Sequence, residues 1–170
     1  RTRPSKVITM RKVEMIMGMP VSIDIPNAHS AQPFQVVFDF LKNVDTKYSP
    51  YKESSEVCRF ARGDINEADV SLEFQHILKE CTKYERSTGG YFSARYNDDF
   101  DPSGYVKAWA LHESAAKIEA CGFSSFLISI AGDMVARSDT SIDAKVWNIG
   151  IQDPHNQQQV LGAVHLKNQA

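Results

Sequence analysis

Asp101-Pro102-Ser103-Gly104-Tyr105-Val106-Lys107-Ala108-Trp109-Ala110 sets a carboxylate and a tight turn ahead of a lysine at the start of a helical segment. The helix predicted from this stretch runs from about Gly104 to Cys121 and stops at Gly122, a residue suited to a left-handed cap. Two later stretches have the complementary character. Ser129-Ile130-Ala131-Gly132-Asp133 reads as a strand ending in a small-residue turn with an acid, and Trp147-Asn148-Ile149-Gly150-Ile151-Gln152-Asp153-Pro154 as a strand ending in a polar turn. A lysine at a helix start and acids at turns are the materials of a site for a phosphate-bearing ligand.

Working outward, Val13, Met15 and Met17 and then Val21, Ile23 and Ile25 alternate on either side of Gly18 to Pro20, which predicts a β-hairpin or two adjoining strands. Ser30 is placed to cap a helix in which Phe34, Val37, Phe38, Leu41 and Val44 recur at helical spacing and turn one stripe toward a sheet. A second helix is expected from about Ser71 to Ser87, with Ile77, Leu78, Cys81 and Tyr84 inward and Gly89-Gly90 ending it. Phe126 to Ile130, Met134 to Arg137, Val146 to Ile151 and Val160 to Leu166 read as strands joined by Gly, Asp, Ser and Asn turns. The fold class is α+β, with mixed and antiparallel sheets packed against three main helices, and no repeat, low-complexity tract or linker divides residues 1–170.

The chain has 170 residues, 42% hydrophobic and 24% charged, enough to bury a core in one domain. Its 19 basic and 21 acidic residues are interspersed, and a net charge of -2 makes no electrostatic case for nucleic acid or an anionic membrane. Arg1 to Lys6 form the basic exception and read as a solvated tail. No apolar run approaches the roughly 20 residues of a membrane span. Cys58, Cys81 and Cys121 are far apart and contain no C-x-x-C pair, so neither a zinc site nor a disulfide framework is expected. Cys81 and Cys121 fall on apolar helix faces. Trp109 and Trp147 read as core or pocket-wall residues, and His76 and His112 as surface helix residues.

The three stretches, in this order, resemble the FAD:protein FMN transferases of the ApbE family, which carry D-x-x-G/A-x-x-K-G-W/Y-A, then G-G-D, then W-x-V-G-I-x-D-P. Upstream, Met17-Gly18-Met19 is similar to the family's M-G-T, and Ser49-Pro50-Tyr51-Lys52-Glu53-Ser54-Ser55-Glu56 to its S-x-Y-x-x-x-S-E; Gly89-Gly90-Tyr91-Phe92 adds a further block. The resemblance covers about Met15 to Pro154, and the close spacing of the blocks resembles the family's shorter branch. The implied architecture is ApbE-like, or T-fold-like. Ala108 and Ala131 replace motif glycines, Met19 a threonine and Ser93 an aspartate.

The resemblance implies roles residue by residue. Lys107 and Asp101 would be catalytic as well as FAD-contacting. Met17, Tyr51, Ser55, Glu56, Tyr91, Phe92, Ser93 and Asp133 would complete the flavin pocket, and the Gly104 carbonyl would ligate magnesium, a hard cation that prefers oxygen. Each has a plainer reading: a helix lysine, a turn or cap aspartate, a loop tyrosine, core aromatics.

The activity implied is transfer of the FMN moiety of FAD through a phosphoester bond to a threonine of an acceptor protein, with Mg2+ as cofactor and AMP as product. An FAD pyrophosphatase and a non-catalytic flavin-binding protein are the alternatives. The family's A-T-S-G segment, histidine, and metal-binding aspartate and threonine all follow the position of Ala170, so the chain is expected to continue past that residue. The chain as given implies the cytoplasm; removal of a leader would imply a lipoprotein on the extracytoplasmic face of the inner membrane.

Overall fold

Strand β1 (Thr9–Ile16) and strand β2 (Met19–Pro26) form a hairpin through a two-residue loop, Met17 at φ 56 and Gly18 at φ 69. Positive φ at both loop positions is the type I′ signature, whose own twist matches that of the flanking strands. The turn fixes the register, pairing Ile16 with Met19 and Glu14 with Val21. Glu14 and Ile16 therefore share a face with Val21, Ile23 and Ile25. Val13 and Met15 point the other way, 54% and 68% exposed. The computed structural model describes residues 9–96, 99–139 and 145–170; the basic start at Arg1 to Lys6 lies outside them.

A second hairpin of the same kind joins β5 (Phe126–Ile130) to β6 (Asp133–Arg137) through Ala131 at φ 47 and Gly132 at φ 97. An alanine keeps the turn that the sequence predicts, at a cost of about 1 kcal/mol for a Cβ in the left-handed region. β5 pairs with β2, giving an antiparallel sheet in the order β1-β2-β5-β6. The Ala131 N–H donates to the Pro20 carbonyl at 3.1 Å, so both turns lie at one end of this sheet.

Helix α1 (Gln32–Tyr48) and helix α4 (Ser103–Ala120) pack against each other and against the sheet. The expected stripe of α1, Phe34 to Val44, is no more than 2% exposed, and it meets Val21, Ile23, Ile25, Phe126, Ile128 and Ile130, each 0% exposed. Ser30 does not cap α1. Ala31 holds that position without a side-chain bond, and Pro33 in the first turn supplies the helical φ instead. Helix α3 (Leu72–Ser87) is capped by Ser71 and buries Phe74, Ile77 and Cys81, but Tyr84, expected inward, is 45% exposed. A short helix α2 (Glu56–Ala61) accompanies the three main helices among the described residues. Gly122, at φ 90, ends α4 as predicted, with Cys121 half-buried at its C-cap.

Two ribbons lie outside the main sheet: β3 (Arg95–Tyr96) with β4 (Asp99–Phe100), and β7 (Trp147–Gln152) with β8 (Val160–Leu166). Buried Trp147 anchors the second ribbon, its Nε1 donating to the Arg137 carbonyl at 2.9 Å. No described helix is long and apolar enough to cross a membrane.

Candidate functional site

The end of the sheet that carries both turns faces a cleft of about 680 Å³, a volume in the range of small-molecule sites. Its walls are the Met17-Gly18-Met19 turn, the last turns of α1 with Val44, Asp45 and Tyr48, the loop from Ser49 to Lys52, and the first turns of α4 with Ser103, Gly104, Val106 and Lys107.

Lys107 joins the first two motifs. Its Nζ lies 3.0 Å from Oδ2 of Asp133, the first residue of β6 after the Ala131-Gly132 turn. The lysine is 27% exposed and the aspartate 54%. Asp101 works at the helix start, where its Oδ1 accepts from the Ser103 N–H at 2.8 Å and its own N–H donates to Ala94 at 2.8 Å. It satisfies one of the otherwise unpaired amides of α4, the capping role the sequence also allowed. Gly104 borders the cleft with the Phe92 ring behind it, the nearest ring carbon 3.6 Å from where a Cβ would stand.

The Ser49 to Ser55 loop is fastened from within and presents Tyr51 at the cleft, 91% exposed. Buried Ser55 donates to the Ser49 carbonyl at 2.7 Å and accepts from the Cys58 N–H at 3.0 Å, capping α2. Cys58 Sγ donates to the Pro50 carbonyl at 3.3 Å. Glu56 reaches the other way: its two oxygens accept from the N–H and the hydroxyl of Ser71, each at 2.7 Å, tying α2 to the start of α3. Beside it, the Tyr48 hydroxyl donates to Glu73 Oε2 at 2.9 Å, and burial pushes that phenol above its ordinary range. The Tyr48 ring is held between Phe74, stacked at 5.7 Å, and Trp109, edge-on at 5.9 Å, which places Trp109 in the wall behind the cleft.

The expected site residues thus divide. Met17, Tyr51, Gly104 and Lys107 line one cleft, with Asp133 and Asp101 joined to it through Lys107 and Ser103. Ser55 and Glu56 are occupied by bonds within the protein. Tyr91, Phe92 and Ser93 do not line the cleft: Tyr91 is 99% exposed, Phe92 backs Gly104, and Ser93 donates to Glu85 Oε1 at 2.7 Å. The cleft also holds two charged residues that the sequence reading passed over, Asp45 and Lys52, whose Oδ2 and Nζ are 2.7 Å apart. The only available signal was that Lys52 follows Tyr51 within a recognised block.

Gly104 stands in the first turn of α4, where its carbonyl is directed along the helix. Among the described residues no group of three or more His, Cys, Asp or Glu converges. One backbone carbonyl cannot supply the near-octahedral oxygen shell of magnesium, so the residues described do not by themselves fit that ion.

A family model described as the ApbE family matches residues 17–98 and 93–170. Among solved structures, the chain is similar to the flavin transferase ApbE from Vibrio cholerae at 16% identity and TM-score 0.73, covering 95% of this chain and 68% of that one. It is similar to the ApbE protein of Thermotoga maritima at 15% identity and TM-score 0.82, covering 95% and 68%. The apo flavinyl transferase ApbE of Pseudomonas stutzeri gives 15% identity and TM-score 0.75, covering 98% and 68%. At these identities the likeness is one of fold. No curated protein matches.

Proposed function

The chain belongs to the ApbE family, and on that premise we propose that it transfers the FMN moiety of FAD to a threonine of an acceptor protein. In this reaction the threonine oxygen forms a bond to the FMN phosphorus and loses its proton. The bridging P–O bond of the pyrophosphate breaks, and AMP departs with the bridging oxygen.

The observation that carries the reading is the convergence of Met17, Tyr51, Gly104 and Lys107, from three separate segments, on one cleft. Lys107 brings an ammonium to offset the charge that grows on the phosphate oxygens as the bridging bond breaks. At the amino end of α4 the Ser103 amide is taken by Asp101 and the Tyr105 and Val106 amides by the Pro102 carbonyl, which leaves Gly104 as the backbone bordering the cleft. Tyr51 offers an exposed aromatic face on which the isoalloxazine or adenine ring can stack. Magnesium dependence and the choice of threonine enter from the family alone.

The test is incubation of the protein with FAD, Mg2+ and a threonine-bearing peptide taken from a flavoprotein acceptor, followed by mass analysis of peptide and nucleotide. The expected result is a peptide heavier by one FMN phosphoryl unit, with one AMP per adduct. Free FMN and AMP without adduct would assign pyrophosphatase activity, and FAD bound but unconsumed would assign a flavin carrier. Absence of binding and turnover alike would remove the proposal.

A further inference from the structure

Two lysines from different walls face the same cleft, and each rests against one carboxylate of another element: Lys107 of α4 against Asp133 of β6 at 3.0 Å, and Lys52 of the loop against Asp45 of α1 at 2.7 Å. Each of the two ammonium groups is therefore matched by one carboxylate. Lys52 is 44% exposed and Asp45 24%, so the ammonium retains an open side. Exposed ion pairs are weak, and exchanging a carboxylate for a phosphate oxygen costs such a lysine little. The backbone beneath it is anchored at one point, where the Lys52 carbonyl accepts from the N–H of buried Ser55 at 2.8 Å. Asp45 stands on a helix whose next turn, Tyr48, is 2% exposed.

We propose that Lys52 is a second anion contact of the cleft, held ready by Asp45, and that with Lys107 it selects ligands bearing a diphosphate over those with one phosphate or none. The inference rests on the flavin-transfer reading for the identity of the ligand, but the anion site stands on geometry. A diphosphate spreads its charge over two phosphorus centres, and two cations set in different walls can each meet one of them. FMN and riboflavin leave one or both lysines on their carboxylates.

The competing account is that the Lys52–Asp45 pair merely straps the loop to α1. The two accounts differ in sign. For an anion contact, Lys52→Gln weakens binding of FAD and of inorganic pyrophosphate by at least about tenfold. Lys52→Arg keeps most of both, and Asp45→Asn leaves them as tight or tighter because a repelling carboxylate has gone. Riboflavin affinity is the same in all four proteins. For a strap, Lys52→Gln and Asp45→Asn weaken every ligand alike.

Calorimetry of the full chain and these three variants at low ionic strength, repeated at higher salt, reads the difference. Lys52→Gln binding FAD and pyrophosphate like wild type overturns the proposal, as does Asp45→Asn losing as much as Lys52→Gln. Wild type binding pyrophosphate but not FAD, with Lys52→Gln weakened, upholds the anion site and removes the flavin reading. Wild type binding neither removes both.

Discussion

Lys107 Nζ and Asp133 Oδ2 stand 3.0 Å apart, an ion pair between the second turn of α4 and the first residue of β6. It ties the helix that begins at the cleft to the sheet end that closes it. Because both partners keep contact with water, the pair itself is worth only about 0–1 kcal/mol, and its lysine is free to exchange partners.

Lys107→Ala is expected to leave the urea midpoint nearly unchanged, within about 0.5 kcal/mol, and to lower flavin transfer at least about tenfold. A charge-assisted contact to phosphate is worth about 1.5–3 kcal/mol, which exceeds what the ion pair contributes to folding. Rates at limiting and saturating FAD read it, and an unchanged rate under both conditions would remove the phosphate role.

Glu56→Ala is expected to destabilise the protein by about 1–2 kcal/mol, because the Ser71 N–H and hydroxyl lose the two oxygens they now face at 2.7 Å. The affinity of the folded protein for FAD should stay within about threefold. Denaturant titration and calorimetry separate these effects. A large loss of affinity with stability intact would instead give Glu56 a direct flavin contact.

Gly104→Ala is expected to raise stability, by up to about 1 kcal/mol, because alanine is the better helix residue and its methyl would meet only the Phe92 ring at 3.6 Å. The same substitution should weaken FAD binding, since Gly104 borders the cleft. Thermal unfolding with and without FAD shows both effects; a variant more stable and equally tight would mean that the ligand does not approach this backbone.

Glu73 supplies the pH dependence. Burial alone would raise its pKa, but hydrogen bonds from Lys47 at 3.1 Å and Tyr48 at 2.9 Å outweigh it and hold the carboxyl below its ordinary value. With the folded pKa depressed, the stabilisation is fully present above the unfolded value of roughly 4.3 and is lost as pH falls through the folded one. Urea unfolding between neutral pH and about pH 3.5 should show Glu73→Gln losing less stability on acidification than wild type. Parallel curves for the two proteins would contradict the assignment.

The parts of the fold legible from sequence were those with local causes. Gly18, Gly132 and Gly122 mark turns and a helix end because each takes the positive φ that L side chains resist. The α1 stripe was visible because Phe34, Val37, Phe38, Leu41 and Val44 need no partner to declare a period. Six residues are too few for such a period, and so α2 went unseen. Tyr84 fits the spacing of α3, yet Phe74, Ile77 and Cys81 are buried and Leu78 packs against the core, while the Tyr84 ring lies at the margin against Tyr105 at 5.7 Å. Side-chain direction was least legible. The block containing Tyr51, Ser55 and Glu56 drew attention to the loop whose first residues line the cleft. No pattern of letters told that Glu56 turns to Ser71 while Lys52 meets Asp45 across the end of a helix.

The Met17-Gly18 turn makes the two sides of the cleft mechanically unequal. Its left-handed pair is set by the twist of β1 and β2, whose hydrogen-bonded register runs unbroken from Thr9↔Pro26 to Ile16↔Met19. The Ser49 to Lys52 side has no strand ladder and is held by single bonds from Ser55, from Cys58 of α2 and to Asp45 of α1. Adaptation to a bound molecule therefore falls to the tyrosine side while the methionine side serves as a fixed anvil. Amide exchange should record that asymmetry, with slow protons along the hairpin, fast ones in the loop, and protection on ligand binding confined to the loop.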